Sequence, residues 1–189
     1  MASISDRFSV EIDLRLMQTH VRAAQDLLEA LRAKHDLRRW EYTKHVRIAP
    51  FEIPHSHPVL TLNSRYAVDG GRDEDAFLSV YLHEQIHWGI VMHRDAEVEQ
   101  AILRLMPMYP DAHTSEPDSA SDAHSTYLHF VVNWLEVGAS SEFIGHVRAE
   151  AAVLRSPVYR QIYRVVIEEW EQIGAVLKEA GVLPFPEAG

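Results

Sequence analysis

The 189-residue chain contains no cysteine, which excludes disulfides, thiolate metal cages and a cysteine nucleophile. Any metal it holds must sit on imidazole and carboxylate. It is also short of positive charge, with 18 Lys and Arg against 28 Asp and Glu and a formal net charge of −10. A phosphate backbone is bound mainly by lysine and arginine, so no nucleic-acid partner is expected. The basic stretches RAKHDLRRW and RSPVYRQIYR are short and interrupted by apolar residues, as solvated helix faces are. No apolar run reaches the roughly 18 residues of a spanning helix, so no membrane partner is expected either. The opening MASISDRFSVEIDLRL has no basic region followed by an apolar one, so it does not read as a secretory signal and a cytoplasmic location is expected. Glycine and proline are not in excess, and the apolar share of 47% is ordinary. The length fits one domain, 1–189, with its own hydrophobic core.

Hydrophobic spacing divides the chain. Residues 12–36 place Leu16, Val21, Ala24, Leu27, Leu28 and Leu31 at helical intervals. Over 40–66 the pattern changes: Trp40, Tyr42, Val46 and Ile48 alternate, HPVLTLNSRYAV suits a second strand, and Pro50, Pro54 and Pro58 bound the runs. A loop, DGGRDED, leads into a helix over 73–93, for which Asp73 is a fitting cap. A helix over 95–105 follows, then a loop over 107–122 rich in proline, serine and aspartate, long enough to suggest function. Helices are predicted over 123–137 and 140–154. A last one, 156–180, starts at Ser156-Pro157 and ends before Gly181. The sum is α+β: mostly helix, with a short early β-sheet.

The stretch with the clearest chemistry is SVYLHEQIHWGIVMH, 79–93. Residues four apart share a helix face, so His83 and His87 can aim two imidazoles at one ion. Glu84, offset by one residue, is free to take a proton from a water at the metal. The apolar flanks FLSVYL and IHWGIV imply a largely buried helix, where unpartnered polar groups cost about 1–3 kcal/mol each. A metal would satisfy them together. The pattern H-E-x-x-H resembles that of zinc metallopeptidases, which implies a zincin-like fold, a Zn2+ cofactor and Glu84 as catalytic base.

A third ligand has to come from elsewhere. His93 has the spacing of the last metzincin histidine, but Gly89 stands one position too early for that motif. On a continuous helix His93 lies about 9 Å further along the axis, beyond reach. Downstream, in DAHSTYLHFVVNWLEVGAS, the residues Ser125, His129, Asn133 and Glu136 fall on one stripe about 80° wide on an otherwise apolar helix. NWLEVGAS resembles the W-L-x-E-G-x-A segment of gluzincins, the thermolysin- and aminopeptidase-like enzymes. That resemblance implies Glu136 as third ligand. His129 is the alternative, about 10 Å away along the helix, so one binds and the other supports.

Other polar residues read more plainly. His55 and His57 lie on a proline-rich connection and read as surface histidines, and Asn63 and Arg65 as turn and surface residues. In zincins an edge strand beside the active helix binds extended peptide, and the resemblance implies 59–63 for that role. Tyr127, His124 and Tyr163 are candidate oxyanion donors, while Tyr159 and Trp170 read as core. Two functions fit: a small zinc-dependent hydrolase acting on peptide or protein, or a non-proteolytic metal-binding module on the same fold. The loop 107–122 is a candidate lid.

Overall fold

Asp73 sets the start of the central helix. Its carboxylate accepts the Ala76 amide at 3.0 Å, and Glu74 and Asp75 occupy the first turn, where they suit the helix dipole. Ion pairs from Arg155 to Asp73 and from Arg148 to Asp75 tie that turn to the chain beyond the fourth helix. The computed structural model describes residues 14–68, 70–112 and 115–188; residues 12–13 of the helix expected over 12–36 lie outside them, as do His113 and Thr114 in the 107–122 loop. Seven helices and two short strands follow in the described residues: α1 (Leu14–Lys34), β1 (Val46–Ile48), β2 (Leu60–Leu62), α2 (Glu74–His93), α3 (Asp95–Met108), α4 (Ala123–Ile144), α5 (His146–Val153), α6 (Arg160–Glu168) and α7 (Trp170–Glu179). The architecture is α+β and mostly helical, with its small sheet early in the chain. None of these helices is long and apolar enough to cross a membrane.

Helices α2 and α4 are apolar nearly all round, which is the composition of helices enclosed by others. They pack on each other, and α3, α5, α6 and α7 all pack on α4. Phe130, Leu78, Leu82 and Ile86 lie at the centre without exposure. The sheet holds two strands in parallel, Val46 opposite Leu60 and Ile48 opposite Leu62, with β2 seated on α2.

Three elements differ from the sequence pattern. The alternation at Trp40 and Tyr42 is not strand: Arg38–Trp40 is a 3-10 turn. Trp40 stacks on Phe185, and the Tyr42 hydroxyl donates to the Pro186 carbonyl, so both rings hold the C-terminal tail. The break expected between the helices over 123–137 and 140–154 lies at Gly145 instead: α4 runs unbroken through Gly138, and α5 follows. One interior glycine costs only about 1 kcal/mol, and burial of Val137, Ala139 and Ser140 around it outweighs that. The helix expected over 156–180 is two, α6 and α7, and it starts late. Tyr159 adopts φ 55°, ψ 29°, the left-handed region. The first amides of α6 are satisfied from the distant loop before α4 instead of by Ser156: Arg160 N–H donates to Pro117 O and Gln161 N–H to Asp118 O, at 3.2 and 3.1 Å.

Gly89 has a packing role. A Cβ there would stand 2.7 Å from Tyr42 Cε2 and 2.9 Å from Phe185 Cε1. The helix continues straight past it to His93, whose ring meets Tyr42 at 6.0 Å. Gly89→Ala is expected to destabilise the protein by about 1–3 kcal/mol, the range for overpacking, despite alanine's better helix propensity. Denaturant unfolding reads this directly, and a variant as stable as the wild type would show that Tyr42 and Phe185 yield freely.

Candidate metal centre

His83 and His87 stand one turn apart on α2, and α4 brings His129 against them. The three ring centroids form a triangle with sides of 5.0, 5.3 and 5.5 Å. One nitrogen from each lies within 4.8 Å of the others, so the three form a cluster able to hold a metal ion. His83 and Glu84 are 7% and 6% exposed, and His129 is 7% exposed.

The hydrogen bonds around the triangle set its tautomers. His83 Nδ1 donates to Glu136 Oε2 at 2.8 Å, and His129 Nδ1 donates to the Ser125 carbonyl at 2.6 Å. In the neutral ring each bond leaves Nε2 with the lone pair that binds a metal. His83 Nε2 faces His87 Nε2 at 3.3 Å. Two nitrogens in a tetrahedral zinc shell, with bonds of 2.0–2.1 Å, stand about 3.4 Å apart. The spacing therefore fits a cation, which would replace the proton held between the two nitrogens.

Glu136 stands on the other side of the His83 ring. It is buried, and three donors reach it: His83, the Tyr163 hydroxyl at 2.8 Å, and the Ser79 hydroxyl. The arrangement is a carboxylate fixing Nδ1 of a histidine whose other nitrogen faces the cluster. Asn133, between His129 and Glu136 on the same stripe, is fully buried with neither amide atom hydrogen-bonded.

Burial and charge set the protonation states. Burial pushes the Glu84 carboxyl up to about 7, with Glu136 adding to the rise and His83 opposing it. Its side chain makes no hydrogen bond among the described residues. Burial lowers His87 well below the usual imidazole value, helped by the charges of His83 and His129. It takes His129 down to about 3, again with His83 adding to the shift. Burial also works against a charge on His83, but Glu136 overcomes it through charge and hydrogen bond, with Glu84 contributing, and the net shift is upward. Two of the three imidazoles are thus kept neutral, the form that binds a metal.

The candidate oxyanion donors are committed elsewhere. Tyr163 donates to Glu136, Tyr127 to the Tyr109 carbonyl, and His124 pairs with Glu99 at the surface. Trp170 stacks on Trp134, while Asn63 bonds the Glu52 carbonyl and the Arg65 amide in a turn. Tyr159, which the sequence pattern assigns to the core, belongs to the site. Its ring stacks on His129 at 4.0 Å and lies parallel to His83 at 6.0 Å. Its hydroxyl has no hydrogen-bond partner among the described residues. Burial, then the charge of Glu84, pushes it up to about 12, so it stays a donor. His57 is exposed and His55 half-buried, in keeping with a surface reading; His57 stacks on Trp88 at 4.3 Å, and the Trp88 indole donates to the Ser56 carbonyl at 2.8 Å. The signal for Tyr159 is its spacing of four from Tyr163, which puts one on His129 and the other on Glu136.

Compared with protein-family models, with curated proteins and with solved structures, the chain matches none.

Proposed function

We propose that the chain is a single-domain, zinc-dependent hydrolase that cleaves an amide or ester with water. The observation that carries this reading is the convergence of three imidazole nitrogens beside Glu84, a buried carboxylate with no hydrogen-bond partner among the described residues. His83, His87 and His129 are the ligands, and Glu136 holds His83 without binding the ion. Zinc suits imidazole donors at this spacing, and when bound it supplies a Lewis acid for a carbonyl and lowers the pKa of a water to about 7. Glu84 takes a proton from the attacking water and returns it to the leaving nitrogen or oxygen. The C–N or C–O bond breaks as the new C–O bond forms, giving a carboxylic acid and an amine or alcohol. Tyr159 donates to the oxygen on which charge develops. The loop at 115–119, bonded to the start of α6, borders Tyr159 and is where a lid would act.

Turnover of chromogenic esters and anilides by the zinc-loaded protein tests this, before and after chelation and beside Tyr159→Phe. Activity is expected to vanish with chelator and return with zinc. Tyr159→Phe keeps its metal and loses about 10²–10³-fold in kcat, the effect of one oxyanion donor. Turnover indifferent to chelation ends the hydrolase reading, whereas full activity in Tyr159→Phe ends only the donor role.

A further inference from the structure

We infer that the site takes a compact ester or amide gripped around a single scissile bond, and not an extended peptide paired as an added strand. This rests on the hydrolase reading and concerns the shape of its substrate. Strand addition needs a residue at a sheet edge that offers both its N–H and its C=O outward. The strand expected to do this, 59–63, has neither edge open. On one side β2 pairs with β1 along its length. On the other, His55 bridges Thr61 in antiparallel fashion, Thr61 N–H donating to His55 O at 2.8 Å and His55 N–H to Thr61 O at 3.1 Å.

The next available edge is therefore the His55 segment itself, and it is blunted. With both backbone groups of His55 turned inward, an incoming chain would have to pair with Pro54 or Ser56. Pro54 has no N–H. The Ser56 carbonyl is already taken by the Trp88 indole at 2.8 Å. Upstream, the Ile53 carbonyl accepts the His55 ring at 2.9 Å. Neither Pro54 nor Ser56 offers the pair of groups that an added strand requires. Because Trp88 directly follows His87, the clamp that uses up this edge sits at the metal helix itself.

The outer edge of β1 is the remaining place for an added strand, and it lies at the wrong end of the sheet. It borders a groove of about 580 Å3 lined by Val21, Leu28, Arg32, Glu41, Val46 and Ile48. A strand docked there would be separated from the His55 segment by both β1 and β2, three spacings or roughly 14 Å of sheet at 4.7–4.9 Å each. The reacting groups show little surface besides, with Glu84 only 6% exposed.

Two series on the full-length protein test the inference. The first measures kcat/KM of the zinc-loaded wild type on anilides carrying an acetyl group, one residue, or two to six residues. The second measures binding of acetohydroxamate and of peptidyl hydroxamates of the same lengths to the cobalt-loaded Glu84→Gln protein, by calorimetry and by the cobalt absorption spectrum. Both series are expected to stay within about threefold as residues are added. A gain of tenfold or more with chain length in either series overturns the inference and leaves the hydrolase reading standing. A flat binding series with no wild-type turnover removes the hydrolase reading and with it the scissile bond, and leaves standing only that the site takes no extended peptide. Hydroxamates that fail to perturb the cobalt spectrum at any length overturn it.

Discussion

Glu84→Gln is expected to lower kcat by about 10²–10⁴-fold, the usual value of a positioned general base, while metal content stays at the wild-type level. The substitution keeps the shape of the side chain and removes only its ability to accept a proton. The three histidine nitrogens form their cluster without help from Glu84, so binding and chemistry separate. Retained metal with unchanged turnover would assign the base elsewhere. Retained metal in a wild type that turns over none of the esters or anilides would favour the binding-module reading. The same residue predicts a stability effect. Without metal, burial lifts the Glu84 carboxyl from 4.5 to about 7. A carboxyl raised in the folded state binds more protons there than when unfolded. Stability therefore falls as pH rises from 4.5 to about 7, by about 3 kcal/mol at 1.36 kcal/mol per unit. The histidines of the cluster also titrate across this range, so the loss is read as a difference: between pH 5 and pH 8, denaturant unfolding of the metal-free wild type should lose about 3 kcal/mol relative to Glu84→Gln. Bound zinc favours the ionised carboxylate, so the acid limb of kcat/KM in the loaded enzyme should lie below pH 7.

The elements that periodicity alone determines were legible in the sequence. Helix α2, with Asp73 as its cap, starts within one residue of the expected position and ends at the expected one. The early sheet and the placement of His83, Glu84 and His87 on one buried helix follow from the same spacing. What could not be read depends on contacts between distant segments. Trp40 and Tyr42 alternate like a strand but are claimed by Phe185 and Pro186 at the other end of the chain. Ser156-Pro157 is a good local start for a helix, yet carbonyls from 117 and 118 supply acceptors four residues later, and Tyr159 takes a left-handed backbone. A tyrosine in that region costs of order 1–3 kcal/mol and persists where surrounding structure imposes it. Here the cost coincides with a ring laid flat on His129. The local rule fails at the candidate site, where strain is most often found.

The choice between Glu136 and His129 illustrates the same limit. Both lie on one stripe of α4, and the sequence cannot supply the register of α4 against α2. That register sets His129 opposite His83 and His87, and Glu136 opposite Ser79. An imidazole has nitrogens on two sides, so His83 can face the cluster with one and Glu136 with the other. This geometry predicts different failures for two variants. His129→Ala removes a ligand from a shell whose four members share about 10–16 kcal/mol, so zinc affinity should fall about 10²–10³-fold. The cobalt spectrum should also change with the loss of a nitrogen donor. Glu136→Gln leaves all three imidazoles in place. Its affinity should drop about 10–100-fold as His83 loses its charged partner, with the cobalt spectrum keeping its three-nitrogen character. Zinc competition against a chelator of known affinity gives both numbers, and circular dichroism confirms that each variant retains its helices. The reverse result, a Glu136→Gln protein with a lost donor and a His129→Ala protein with an unchanged spectrum, would place the carboxylate on the ion. It would require α4 to sit almost two turns from the register described, because seven residues of helix span about 10 Å.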